Sequence, residues 1–163
     1  MINELLPFEK IIKDCSDKYA IDENLIMAII MQESRGRIWS ARYEPDLKYS
    51  YMPQSYAKKL FISLDTELVM QKTSWGLMQI LGVRAREIGF DQLLPQLLLP
   101  SIAIEYGTKV LSDLTKKYDK TDKVIVSYNA GNPRYAASGK YINQNYLDGV
   151  NKWLIQVKSP NGQ

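Results

Sequence analysis

No histidine occurs among the 163 residues of this chain. That absence removes a Ser-His-Asp triad, a Cys-His dyad and every His-ligated zinc site. A single cysteine, Cys15, rules out an intrachain disulfide and a cysteine cluster for metal. Neither a metal nor another cofactor is expected, and proton transfer must come from Asp, Glu, Lys or Tyr. Long hydrophobic runs are also missing. The longest, Leu25 to Met31, is far too short to span a bilayer, so no membrane insertion is expected. The start, Met1-Ile2-Asn3-Glu4, lacks the basic and apolar regions of a secretory signal. The expectation is a soluble chain without an export address, one that works where it is made or is delivered by something else. No repeat, low-complexity tract or Pro/Gly/Ser linker divides the chain, so one domain over 1–163 is expected.

What charge there is lies unevenly. Residues 1–33 hold three lysines against seven acids, a net of −4; residues 34–163 hold eighteen Lys/Arg against eleven acids, a net of +7. A moderately basic body suits a polyanion such as nucleic acid, cell-wall polymer or anionic membrane, or is a solvated surface that happens to be basic. The basic residues are spread out, and no recognition-helix or stacking-platform motif accompanies them, so a nucleic-acid partner is not expected.

The dominant periodicity is helical. Leu5, Phe8, Ile11, Ile12, Cys15 and Tyr19 form one apolar stripe on a first helix within residues 1–21, which makes Cys15 a buried core thiol rather than a reactive one. Asp22 predicts the N-cap of a second helix, apolar nearly all round from Leu25 to Met31 and stopped by Arg35-Gly36. A short amphipathic stretch runs from Tyr56 to Leu64, and further helices are expected over Val83–Ile88, Pro100–Tyr118, from a cap at Asp122 to near Tyr128, and Asn143–Val157. Strand alternation is absent apart from a short ribbon in 38–56. The fold class is all-α, with an irregular or short β insert around 38–56.

Glu33 breaks the pattern. It follows the apolar run of a buried helix, so its carboxyl lies beside apolar walls that penalise ionisation and raise its pKa. A protonated Glu in a cleft can donate to a glycosidic oxygen as a general acid. Position alone leaves the alternative that Glu33 faces solvent or pairs with Arg35 or Arg37.

Three further strings bear on that choice. Gln32-Glu33-Ser34, Gly76-Leu77-Met78-Gln79 and Tyr128-Asn129-Ala130-Gly131, with Asn145-Tyr146 after them, resemble the lytic transglycosylase family, the soluble-lytic-transglycosylase and goose-lysozyme-like enzymes that cleave murein. The likeness runs from about Asp22 to Trp153. It implies a lysozyme-like domain whose Glu33 is the catalytic acid, then base. Ser34 would hydrogen-bond near the reacting sugar, Met78 and Gln79 would line the cleft, and Tyr128 would lie beside Glu33. Asn129 would hold the turn that places Tyr128, and Tyr146 would close the far wall. By residue type alone, Met78 is as much core as cleft, and a core site with an internally satisfied hydroxyl is the lesser alternative for Tyr128.

The resemblance further implies cleavage of the β-1,4 bond between N-acetylmuramic acid and N-acetylglucosamine without water, giving 1,6-anhydro ends. The partner is then the peptidoglycan glycan strand, cut by a monomer. Two departures from the simplest pattern stand out. Glu33 and Gly76 are 43 positions apart, longer than in compact members, and the segment 38–72 between them carries Trp39, Arg42-Tyr43-Glu44-Pro45, Tyr49, Tyr51 and Tyr56. This insert resembles that of phage-borne members, which implies an endolysin or a virion-associated enzyme, released from the host cytoplasm or carried in a virion. It is either an extra sugar-binding wall or a surface flap. The Glu-Thr that precedes Asn-Tyr in many members is Ile142-Asn143 here, which leaves the contacts of that pair open. Glu44 either pairs with Arg42 or serves as a second carboxylate that activates water, which would make the enzyme a hydrolytic muramidase. A non-catalytic wall-binding or virion protein on the same scaffold is the remaining alternative.

Overall fold

The computed structural model describes residues 2–159; residue 1 and residues 160–163 of the expected 1–163 domain lie outside them. The chain is mostly helical with a small sheet, in agreement with the expected lysozyme-like class. A 3-10 turn, Asn3–Phe8, leads into α1 (Glu9–Tyr19), so the first apolar stripe starts in a tighter helix that contains Pro7. Leu5, Ile12 and Cys15 are its buried members. The Cys15 thiol is pushed up from its ordinary pKa by burial.

At the centre lies α2 (Glu23–Glu33), started by Asp22, whose side chain accepts from the Asn24 backbone N–H at 2.8 Å. Every residue from Leu25 to Met31 is buried. Such a helix needs neighbours on all sides, and it packs most extensively on α8 (Gln144–Lys158). The approach is close because residue 149 is glycine. A Cβ there would stand 2.5 Å from the Gln32 side-chain oxygen. α6 (Pro100–Lys117) and α7 (Thr121–Ala130) complete the helical body. Pro100 opens α6 as expected. Asp122 does not cap α7; Lys120 stands at the cap without a side-chain bond, and Asp122 sits in the first turn, where its charge suits the positive end of the helix dipole.

The insert differs most from expectation. Its ribbon is not contained in 38–56. β1 (Ala41–Tyr43) pairs antiparallel with β2 (Thr73–Trp75), which pairs with β3 (Ile80–Leu81). The amphipathic stretch Tyr56–Leu64 falls partly in α3 (Pro53–Leu60), which starts earlier because Pro53 supplies a first-turn residue and ends where Phe61 closes the helix at φ 56°. Residues from Ser63 start a second helix, α4 (Leu64–Gln71), capped by the Ser63 hydroxyl. The helix expected over Val83–Ile88 is α5 (Gly82–Glu87). Between α4 and α5 lies a buried ion pair. One guanidinium edge of Arg86, Nε and Nη2, meets the two carboxylate oxygens of Glu67 at 2.8 and 2.9 Å, and neither side chain has any exposure. Gln71 donates to Glu67 and exchanges two bonds with the Tyr51 backbone, which anchors the middle of the insert to α4.

Candidate active site

Glu33 is the last residue of α2, where the buried helix reaches the edge of the core. The close approach at Gly149 brings the preceding turn of α8 against it, and the Tyr146 hydroxyl donates to Glu33 Oε1 at 2.5 Å. Burial raises the Glu33 pKa above the ordinary carboxyl value, while the Tyr146 hydrogen bond and the positive charge of Arg42 pull it partly back. The Tyr146 phenol is held well above its usual range by burial and by the Glu33 charge, so it remains a donor. A carboxyl held on one oxygen and biased toward its protonated form is what general-acid chemistry needs.

Tyr128 lies near the end of α7, and its phenol too is raised by burial and by the Glu33 charge. Its hydroxyl donates to the Met78 carbonyl at 2.9 Å. Tyr128 is thus internally satisfied and also within electrostatic reach of Glu33. The Met78 side chain does not line an open cleft, contrary to expectation. It is fully buried against Gly107 of α6, where a Cβ would stand 2.2 Å from the Met78 sulfur. What Met78 turns toward Tyr128 is its carbonyl.

Gln79 follows in a left-handed conformation, φ 47°, that a non-glycine residue rarely adopts. Its amide donates to the carbonyls of Ser40 and Gly76, both at 3.0 Å, which fixes the start of the insert against the turn after β2. The amide N–H groups are therefore engaged with the chain itself, and the amide oxygen has no hydrogen-bond partner among the described residues. Ser34 is 1% exposed, and its hydroxyl donates back to the Ile30 carbonyl at 3.2 Å. A direct sugar contact by Ser34, as expected from sequence, does not fit that burial. Asn129 is exposed and accepts from the Asn143 side chain at 3.0 Å.

Asn143 is a residue that sequence reasoning left open. Its amide also donates to the Val126 carbonyl at 2.9 Å, which ties the end of α7 to the start of α8 and so sets Tyr128 and Tyr146 relative to each other. Ile142 beside it is exposed. Only the Asn-x-x-Tyr spacing into α8 hints at this role; its partners lie 14 and 17 residues away. Glu44 is held by Arg42 Nε at 2.7 Å. Among the described residues Glu33 makes no hydrogen bond to another carboxylate, and no group of acids, Cys or His is arranged to hold a metal ion. None of the described helices is long and apolar enough to cross a membrane.

The family described as Transglycosylase SLT domain matches residues 10–149 of this chain. No solved structure matches it.

Proposed function

Because the chain belongs to the Transglycosylase SLT domain family, and is thereby a lytic transglycosylase acting on peptidoglycan, we propose that Glu33 is its single catalytic residue and that the product carries 1,6-anhydro ends. The observation that carries this reading is the Glu33–Tyr146 pair at the end of a buried helix. Tyr146 occupies Oε1, which leaves Oε2 to exchange the proton. Protonated Glu33 gives its proton to the glycosidic oxygen between N-acetylmuramic acid and N-acetylglucosamine as the bond from that oxygen to the anomeric carbon breaks. The acetamido oxygen of the same muramyl sugar bonds to the anomeric carbon in its place. Glu33, now ionised and hydrogen-bonded by Tyr146, takes the proton of the C6 hydroxyl. Oxygen 6 then bonds to the anomeric carbon and releases the acetamido group. No water is consumed, and the attacking hydroxyl is already tethered to its target, so no second carboxylate is needed to position water.

Tyr128 would form the wall beside Glu33, fixed by the Met78 carbonyl, with the Gln79 amide oxygen reading an acetamido or hydroxyl group. Ser34 and Asn129 would act through the helix end and the α7–α8 junction. The Arg42–Glu44 pair favours this reading over a hydrolytic muramidase, since it gives Glu44 a partner other than an attacking water. We read the chain as one domain and a monomer. The Arg-Tyr-Glu-Pro insert supports a phage endolysin or a virion-associated enzyme. Glu33→Gln tests the assignment: it keeps the size and the hydrogen bond from Tyr146, so the fold persists and wall lysis disappears. Lysis at the parent rate by that variant would remove Glu33 from the mechanism.

A further inference from the structure

β1 begins just after Ser40, whose carbonyl accepts from the Gln79 amide at 3.0 Å, and its side chains divide by alternation. The pairs Ala41–Trp75 and Tyr43–Thr73 face α4: the Trp75 indole donates to the Met70 carbonyl at 3.0 Å and the Thr73 hydroxyl to the Val69 carbonyl at 2.9 Å. Arg42, opposite Ser74, and Glu44 therefore project from the other face, and there the Arg42 charge is felt at the Glu33 carboxyl. The backbone around them is pinned at both ends. Gly76 N–H donates to the Ser40 carbonyl and Glu44 N–H to the Lys72 carbonyl, each at 2.8 Å. Glu44 holds Arg42 by Nε alone, and the Nη edge of the guanidinium has no protein partner among the described residues.

An exposed Arg–Glu pair adds about 0–1 kcal/mol to stability, so the fold has little need of it. What the pair does is orient a guanidinium fork, and such a fork matches a carboxylate in a bidentate fashion. Peptidoglycan offers one close to the reacting centre, because each muramyl sugar carries a lactyl group that ends in a carboxylate or in an anionic peptide stem. We propose that Arg42, aimed by Glu44, is a substrate-binding residue that recognises this carboxylate next to the cleaved bond. The inference rests on the peptidoglycan-cleaving activity described above and adds a determinant of specificity to it. It also assigns a purpose to the insert, which delivers a fixed cation to a site whose own helix segment is acidic.

The test uses Glu33→Gln as the parent, so that ligands stay intact, and measures calorimetric affinity for three tetrasaccharides. These are the neutral N-acetylglucosamine tetramer, the alternating murein tetrasaccharide with free lactyl acids, and the same with peptide stems. The parent should prefer an acidic ligand over the neutral one, and adding Arg42→Gln should weaken that ligand about tenfold while leaving the neutral tetramer unchanged. Arg42→Lys should restore part of the loss, and Glu44→Gln should weaken the same ligand without touching the neutral one. Loss with the free acid assigns the lactyl carboxylate; loss confined to the stem-bearing ligand assigns the peptide. An unchanged melting temperature shows that the variants are folded. Equal binding of neutral and acidic ligands by the parent, or an undiminished preference in Arg42→Gln, overturns the inference. The role of Glu33 is decided separately, by the lysis assay.

Discussion

Arg86 and Glu67 form a buried ion pair whose removal should unfold the insert before it affects chemistry. Arg86 makes four hydrogen bonds: two to Glu67, one to the Phe90 carbonyl at 2.8 Å and one to the Gln92 carbonyl at 2.7 Å. Its guanidinium also lies 4.2 Å from the Tyr56 ring centre. Arg86→Met keeps much of the stem but leaves the Glu67 carboxylate without a counter-charge in a site closed to water. Breaking one partner of such a pair costs about 3–5 kcal/mol. At roughly 2–4 °C per kcal/mol for a domain of this size, the melting temperature should fall by about 6–20 °C. Glu67→Leu should cost about as much, by stranding the guanidinium. The double variant is the decisive one. Each single change strands a charge that the double change removes, so its cost should fall short of the sum of the singles by at least about 2 kcal/mol. It should still lie below the parent, because the Phe90 and Gln92 carbonyls lose their donor. Urea unfolding of the four proteins closes the cycle. Additive costs would refute the reasoning, since they would mean that neither charge feels the other's loss.

Other outcomes follow from the site. Tyr146→Phe removes a donor that favours the ionised form of Glu33, so Glu33 holds its proton more strongly. Lysis that requires protonated Glu33 is lost as pH rises, and its alkaline limb should move to higher pH in kcat/KM profiles; a limb that stays put or moves down contradicts this. Because burial raises the Glu33 pKa in the folded state, the unfolded chain loses that proton first as pH rises. Stability then falls through the window above the ordinary carboxyl value. Glu33→Gln has no such loss and should melt above the parent near pH 7, with the gap closing below about pH 4; equal melting across that range argues against a buried carboxyl. Gly107→Ala drives a methyl group to 2.2 Å from the Met78 sulfur and 2.9 Å from its Cβ, so Met78 cannot evade it by rotating its tip alone. Overpacking of this kind costs about 1–3 kcal/mol, and lysis should slow as the carbonyl beneath Tyr128 shifts. Parent-like unfolding and lysis would remove that coupling.

The helical body was legible because burial there follows apolar periodicity. Leu25–Met31, the stripe through Ile12 and Cys15, and the long helix opened by Pro100 each lie where their spacing puts them. α4 escaped because part of its buried face is polar: Glu67 and Gln71 are fully buried through partners at Arg86 and Tyr51 that no local pattern discloses. β1 was readable only as a ribbon of unknown partner, since Ala41 pairs with Trp75 across the whole insert. At the site, Glu33 could be singled out from its position after an apolar run. The direction of Met78, whose side chain fills the gap at Gly107, could not, because cleft and core demand the same apolar residue. Nor could Asn143, whose bonds reach back to α7.

The central claim is that one carboxyl group, without a water-activating partner, cleaves the glycan. It is tested most directly by mass spectrometry of the fragments released from purified murein. A single Glu33 that protonates the leaving oxygen and then deprotonates the C6 hydroxyl gives muramyl ends lighter by one water, the 1,6-anhydro form. Muramyl ends that are reducing sugars only, carrying the full water, would show that a nucleophilic water reaches the anomeric carbon and would contradict the account.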